Sequence, residues 1–166
     1  MPIRWDQYRD HEKKVTTDEE GEMVSDAGLI SASGLGVCIG VCIAYGKWAW
    51  IGHHSMSEQN LDGYERMIVR AKEIIPPKVF STIRPILAGS DPNESSKKDW
   101  QKSRAWSIRI LKNAGLGKPH LHWCKGNETA EINVCLLDKI IEVEVGGDVT
   151  EYAIPQPPSH GAKAFD

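Results

Sequence analysis

A chain of 166 residues is long enough for one compact domain with a real core and short for two. With 40% hydrophobic and 26% charged residues, it has the composition of an ordinary soluble globular protein rather than a disordered or fibrous one. The formal net charge of −3, with no strongly basic block, argues against nucleic-acid binding, which needs lysine and arginine clustered on one face.

Four cysteines, Cys38, Cys42, Cys124 and Cys135, could form two disulfides. The chain is not a short secreted framework, and its first thirty residues are charged rather than apolar, unlike a signal peptide. The expectation is a reducing, cytoplasmic setting with free thiols; export without a classical signal is the alternative. The stretch from Ala27 to Gly46 has no charge and could span a bilayer on length alone. Its glycines and its lack of a leucine-rich block favour a buried strand–turn–strand instead.

Residues 1–26 are polar, with Asp18, Glu19, Glu20 and Glu22 against Lys13 and Lys14, and read as an N-terminal arm. Trp5 and Tyr8 suggest that part of it docks on the body. Residues 27–150 form the domain. Residues 151–166, with Pro155, Pro157, Pro158 and Gly161, read as an extended or disordered tail.

Within the domain, Val37 to Ala44 is apolar and β-branched, a buried strand. Tyr45-Gly46-Lys47 is a turn, and Trp48 to His54 is the hairpin partner. Leu61, Tyr64, Ile68, Ala71 and Ile75 recur at helical spacing, which predicts a helix from Asn60 to Ile75, stopped by Pro76-Pro77. Val79 to Leu87 reads as an irregular or edge strand because of Pro85. Ser95 to Asn113 reads as a second helix capped by Gly115. Three strands close the fold: His120 to Lys125, Glu131 to Leu137 and Lys139 to Val145. In the last, Ile141, Val143 and Val145 alternate with Glu142 and Glu144. The sum is a layered α+β domain, a mixed, largely antiparallel sheet packed against two main helices.

Cys38 follows a glycine-rich stretch, Ser33-Gly34-Leu35-Gly36-Val37. Glycines there let the backbone turn and expose amides, such as those of Gly36 and Val37, to an oxyanion. A thiol needs an imidazole to be a nucleophile at neutral pH. His53, on the partner strand of the hairpin, can meet it. His53 and His54 point to opposite faces of a strand, so a one-residue slip exchanges them. The plain alternative is a buried structural cysteine beside an unrelated histidine.

The segment Leu35-Gly36-Val37-Cys38-Ile39-Gly40-Val41-Cys42-Ile43 resembles the nucleophile strand of the chemoreceptor glutamine deamidase family (CheD), whose second, non-catalytic cysteine matches Cys42. The likeness continues through Ile51-Gly52-His53, the loop Ile86-Leu87-Ala88-Gly89 and the turn Gly126-Asn127. It spans about residues 29–146 in element order. Cysteine–histidine deamidase toxins that act on host proteins share this architecture. The resemblance implies Cys38 as nucleophile and His53 as base, since the residue before His53 is small, as in the family; His54 is the alternative. It implies a protein carrying a target glutamine as substrate, and no cofactor or metal. The family's serine before the nucleophile is Val37 here, and its threonine six residues before is Ala32. Ser31 or Ser33, or a backbone carbonyl, would then supply the third member. These departures favour a divergent effector or toxin over a chemotaxis adaptor. Transglutamination and a non-catalytic protein-binding module are the other readings.

Two further clusters compete. His120, His122 and Cys124 would share one strand face and could bind zinc, but lack an obvious fourth ligand. Trp48 and Trp50 share a strand face and offer a lining for a substrate groove; the tryptophans otherwise read as core filler.

Overall fold

The computed structural model describes residues 12–55, 61–93 and 97–158. The docking of Trp5 and Tyr8, the stretch after Ser55, the first residues of both predicted helices and the chain beyond Pro158 lie outside these residues. The described elements are β1 (Glu12–Lys14), β2 (Glu19–Val24), β3 (Leu29–Leu35), β4 (Ile39–Tyr45), β5 (Trp48–His54), α1 (Leu61–Ile74), α2 (Pro77–Phe80), β6 (Ile86–Gly89), α3 (Lys97–Asn113), β7 (His120–Trp123), β8 (Ala130–Cys135), β9 (Ile140–Val145) and β10 (Asp148–Ala153).

The chain is a layered α+β domain, and its strands divide between two mixed sheets rather than one. The first sheet has the order β1-β3-β8-β9-β10 and the second β2-β5-β4-β6-β7. Between them lies one core, built from Ile30, Ala32 and Leu35 of β3, Cys42 and Ala44 of β4, Ile51 of β5, Ile132 and Val134 of β8, and Ile141 and Val143 of β9. The other face of the second sheet carries Ile39, Val41, Ile43 and Trp50 against Tyr64, Met67, Ile68 and Ala71 of α1 and Leu111 of α3. The order of layers is therefore helices, sheet, sheet. All seven residues of β4 are buried because both its faces are covered, which is why its sequence is an unbroken apolar run. β9 alternates in sequence and sends Ile141 and Val143 into the core, while Glu142 between them is also buried.

The β4–β5 turn sets the register that matters for function. Tyr45 pairs with Trp48 across the two-residue turn Gly46-Lys47, and Gly46 has φ of 59°. Such a turn matches the strand twist and fixes every later pair. It puts His53 opposite Gly40 and His54 opposite Ile39.

Three expectations are corrected here, and a fourth is met. The arm is structural in its described part: β1 pairs with β3 and β2 with β5, so residues 12–24 supply an edge strand to each sheet. Their pairing is by main chain, and apart from Val15 few of their side chains are buried, so composition alone reads them as an arm. The predicted strand Val79–Leu87 begins instead as the short helix α2, started by Pro77 in its first turn, with Phe80 and Ile83 buried. Only Ile86 to Gly89 is extended. A fourth closing strand, β10, follows the Gly146-Gly147 turn, so the expected tail boundary at residue 150 falls inside a strand. Finally, the uncharged run from Ala27 to Gly46 forms β3 and β4, and no helix among the described residues is long and apolar enough to cross a membrane.

Candidate active site

The chain passes from the first sheet to the second between Leu35 and Ile39, and Cys38 sits at that crossing. Gly34, with φ of 67°, and a hydrogen bond from Gly36 N–H to the Gly34 carbonyl at 2.9 Å make the turn. Cys38 belongs to the core between the sheets and is 6% exposed, while Gly36 and Val37 beside it are half-exposed. The thiol thus lies just beneath the surface.

The loop after β6 holds this crossing from behind. Ser90 N–H donates to the Cys38 carbonyl at 2.9 Å, and Asp91 N–H to the Gly36 carbonyl at 2.8 Å. The Asp91 carboxylate is buried and accepts from Asn93 N–H at 2.8 Å and Glu128 N–H at 2.6 Å. Burial opposes its ionisation, but the amides of Glu128, Asn93 and Asn127, with the Arg104 guanidinium, hold its pKa below the ordinary value. Arg104 itself donates to the Ser90 carbonyl at 2.7 Å and the Cys124 carbonyl at 2.8 Å, and packs over the rings of Trp100 and Trp123. The Gly89 loop and the Gly126-Asn127 turn therefore meet at Asp91, directly behind Cys38.

His53 is 4% exposed on β5. Because it pairs with Gly40, it faces the space between the sheets, the same face as Cys38. Glycine opposite leaves no side chain directly across from the ring. His53 Nδ1 lies 3.2 Å from the Val15 carbonyl. A carbonyl can only accept, so this bond requires the proton on Nδ1 and leaves the lone pair on Nε2. That Nε2 is buried and finds no hydrogen-bond partner among the described residues. No hydrogen bond joins it to Cys38. Cys38 lies one residue before β4, whose Gly40 pairs with His53, so the two share a face at the open end of the hairpin.

A short strap, Val15 to Asp18, completes the arrangement. Val15 N–H donates to the Ser31 carbonyl at 2.8 Å, and Asp18 N–H donates to the His53 carbonyl at 2.6 Å. Ser55 donates to Asp18 Oδ1 from its amide at 3.0 Å and its hydroxyl at 2.8 Å. Between these anchors lie Thr16 and Thr17, both exposed. Burial raises the Cys38 thiol pKa above its ordinary value, the Asp18 carboxylate adds to the rise, and Thr17 partly offsets it.

The other sequence candidates are dispersed. His54 faces the helix layer, its ring 4.8 Å from that of Tyr64, on the opposite side of the sheet from Cys38. It fills a notch over Gly52 and Gly63, where any side chain would press on its ring. Ser31 and Ser33 do not face His53. Ile30 and Ala32 point into the core, so Ser31 takes the outer face beside Asn133, and Ser33 is exposed at the bulge. The His53 ring is met by the Val15 carbonyl rather than by either serine. Gly36 is removed as an oxyanion donor because its amide is committed to Gly34. The amides of Val37 and Cys38 find no backbone carbonyl among the described residues. Trp48 and Trp50 stack on each other on the helix face, with Trp50 Nε1 donating to Glu22 at 2.8 Å, away from the thiol. His122 is hydrogen-bonded to the Tyr152 hydroxyl at 2.6 Å, His120 stacks on that ring, and the Cys124 thiol points to the Leu35 carbonyl. Among the described residues, no group of three or more His, Cys, Asp or Glu side chains is placed to hold a metal.

Val15, Asp91 and Arg104 carried no sequence signal of their own. Each acts through a backbone group or through a contact between segments far apart in the chain. No family model matches this chain, and no curated protein matches it.

Proposed function

We propose that the chain is a cysteine–histidine amidohydrolase that deamidates glutamine on a protein substrate, a divergent relative in kind of the chemoreceptor deamidases and deamidase toxins it resembles. One observation carries the reading: the Val15 carbonyl holds Nδ1 of His53, which leaves a buried, unpartnered Nε2 on the same inter-sheet face as Cys38. That is the tautomer and orientation a general base needs.

In this reading His53 Nε2 takes the Cys38 proton and the thiolate attacks the carboxamide carbon. The amides of Val37 and Cys38 receive the oxyanion. Collapse of the adduct expels ammonia, which takes its proton from His53, and leaves a thioester. Water, deprotonated by the same imidazole, cleaves the thioester to a carboxylate and returns the thiol. No cofactor enters any step. The departures at Val37 and Ala32 favour an effector-like enzyme over a chemotaxis adaptor. The test is ammonia release together with a mass gain of about one dalton on the substrate, with Cys38→Ser as the control. Full activity in a folded Cys38→Ser protein overturns the reading.

A second reading has its own support. The thiol is 6% exposed and its pKa is raised by burial, as expected for a binding module that keeps the fold and has lost the chemistry. A thiol-reactive amide analogue that fails to label Cys38 faster than Cys42 would favour it.

A further inference from the structure

A cavity of about 590 Å³ opens at the turn end of the β4–β5 hairpin. Strand β4 separates it from Cys38: from Ile39 to Tyr45 it spans roughly 20 Å, at about 3.3 Å per residue. Its walls are mostly apolar and rich in rings. Tyr45 and Trp48, a cross-strand pair on the helix face, meet Pro76 after α1, Leu136 after β8 and Pro157 after β10. Rings of this kind lose little side-chain entropy when a ligand packs on them. The backbone around the cavity is pinned. Gly46 N–H donates to the Pro155 carbonyl at 2.8 Å, Ser25 N–H to the Lys47 carbonyl at 2.9 Å, and Ile154 N–H to the Lys139 carbonyl at 2.9 Å. The cavity is thus pre-formed, with the size and lining of a small-molecule site.

Two features indicate what it holds. Tyr45 is 6% exposed, and its hydroxyl has no hydrogen-bond partner among the described residues. That hydroxyl is not one of the sealed polar atoms, so it opens into the cavity that Tyr45 borders. At the rim stand Lys47 and Lys139, both exposed, and neither forms an ion pair among the described residues. Asp26 at the same rim sets one carboxylate against these two ammonium groups.

We propose that this cavity binds a small carboxylate with a flat apolar body, of the class of aryl carboxylates. The ring lies along Trp48 and Pro157, and Lys47 and Lys139 attract the carboxylate. The Tyr45 hydroxyl makes with the ligand the hydrogen bond that the chain does not give it. The flat body follows from the rings of the walls, and the anionic group from the excess of ammonium at the rim. The site lies at the opposite end of β4 from Cys38 and does not rest on Cys38 being a nucleophile.

The experiment titrates the full chain with naphthoate and with neutral naphthalenemethanol, followed by amide proton–nitrogen NMR at low salt. The expected result is saturable shifts at Gly46, Lys47, Leu137 and Lys139 with naphthoate. The alcohol should bind about threefold to tenfold more weakly. Lys47→Gln with Lys139→Gln should abolish that preference, and Asp26→Asn should strengthen it. Tyr45→Phe should weaken naphthoate about threefold to tenfold. No saturation of these amides up to about 1 mM naphthoate overturns the proposal. So does equal affinity for the two probes, or a preference for naphthoate that survives loss of both lysines. If Tyr45→Phe does not fold, the exposed lysine variants still decide the outcome.

Discussion

Gly89 lies against the carbonyl of Cys38. A φ of 101° at Gly89 turns the chain back so that Ser90 can donate to that carbonyl at 2.9 Å. A methyl group on Gly89 would collide with the Cys38 carbonyl and come within 3.0 Å of the Leu35 carbonyl. Gly89→Ala is expected to cost at least about 1–2 kcal/mol from the backbone conformation alone, and more from the collision. Denaturant midpoints measure this. An alanine variant as stable as the parent would show that the crossing is not held from this side.

Asp91 gathers the amides behind the crossing. Asp91→Ala leaves the Asn93 and Glu128 N–H groups without their acceptor. The expected loss is roughly 1–3 kcal/mol, the cost of about one orphaned buried donor, because Asn93 is exposed and Glu128 half-buried. Asp91→Asn keeps an acceptor and should recover part of it. Equal melting temperatures for the two variants would contradict this account.

The two adjacent histidines should separate cleanly. His53→Gln is expected to lower ammonia release by at least about a hundredfold, the usual worth of a general base. His54→Phe keeps an aromatic ring against Tyr64 and should retain activity. If His54→Phe is the inactive variant, the register assigned to the base is wrong.

Stability should fall with acidification. Burial lowers the pKa of His54 below its ordinary 6.5, and burial lowers those of His120 and His122 likewise. The folded state therefore binds these protons less readily than the unfolded chain. The stabilisation is present above 6.5 and is lost as the pH drops through the lowered folded values. Thermal melts from pH 8 to pH 5 should show the decline, and His54→Phe should flatten part of it. A melting temperature that stays level or rises over that range would refute the assignment.

The cysteines should differ in reactivity. Complete burial pushes Cys42 up to about 12, and burial first, then the Asp91 and Glu128 carboxylates, push Cys124 up to about 11. Cys38 sits at the surface crossing with Thr17 opposing the rise. Substoichiometric iodoacetamide should label Cys38 first and reach Cys42 only on unfolding. Preferential labelling of Cys42 in the folded protein would count against the placement of both.

Elements with a covered stripe of their own were legible in the sequence. The repeat of Tyr64, Ile68, Ala71 and Ile75 marks α1, the unbroken run marks β4, and the alternation from Ile141 to Val145 marks β9. Local spacing encodes such faces directly. β1, β2 and β10 bury few side chains and are held by main-chain pairing, which no side-chain pattern records. The predicted hairpin offered Cys38 and His53 as a candidate pair, and the resemblance of the segment Leu35 to Ile43 singled them out.

What the amino-acid sequence determined by itself was the layered α+β class, the hairpin and the candidate pair. Only the tertiary structure decided that the strands form two sheets, that His53 rather than His54 shares a face with Cys38, and that the Val15 carbonyl orients its ring. It also placed Asp91 behind the crossing, its amide on the Gly36 carbonyl. The physical reason is that these groups act through backbone atoms and through contacts between distant segments, and such partners exist only once the chain has closed on itself.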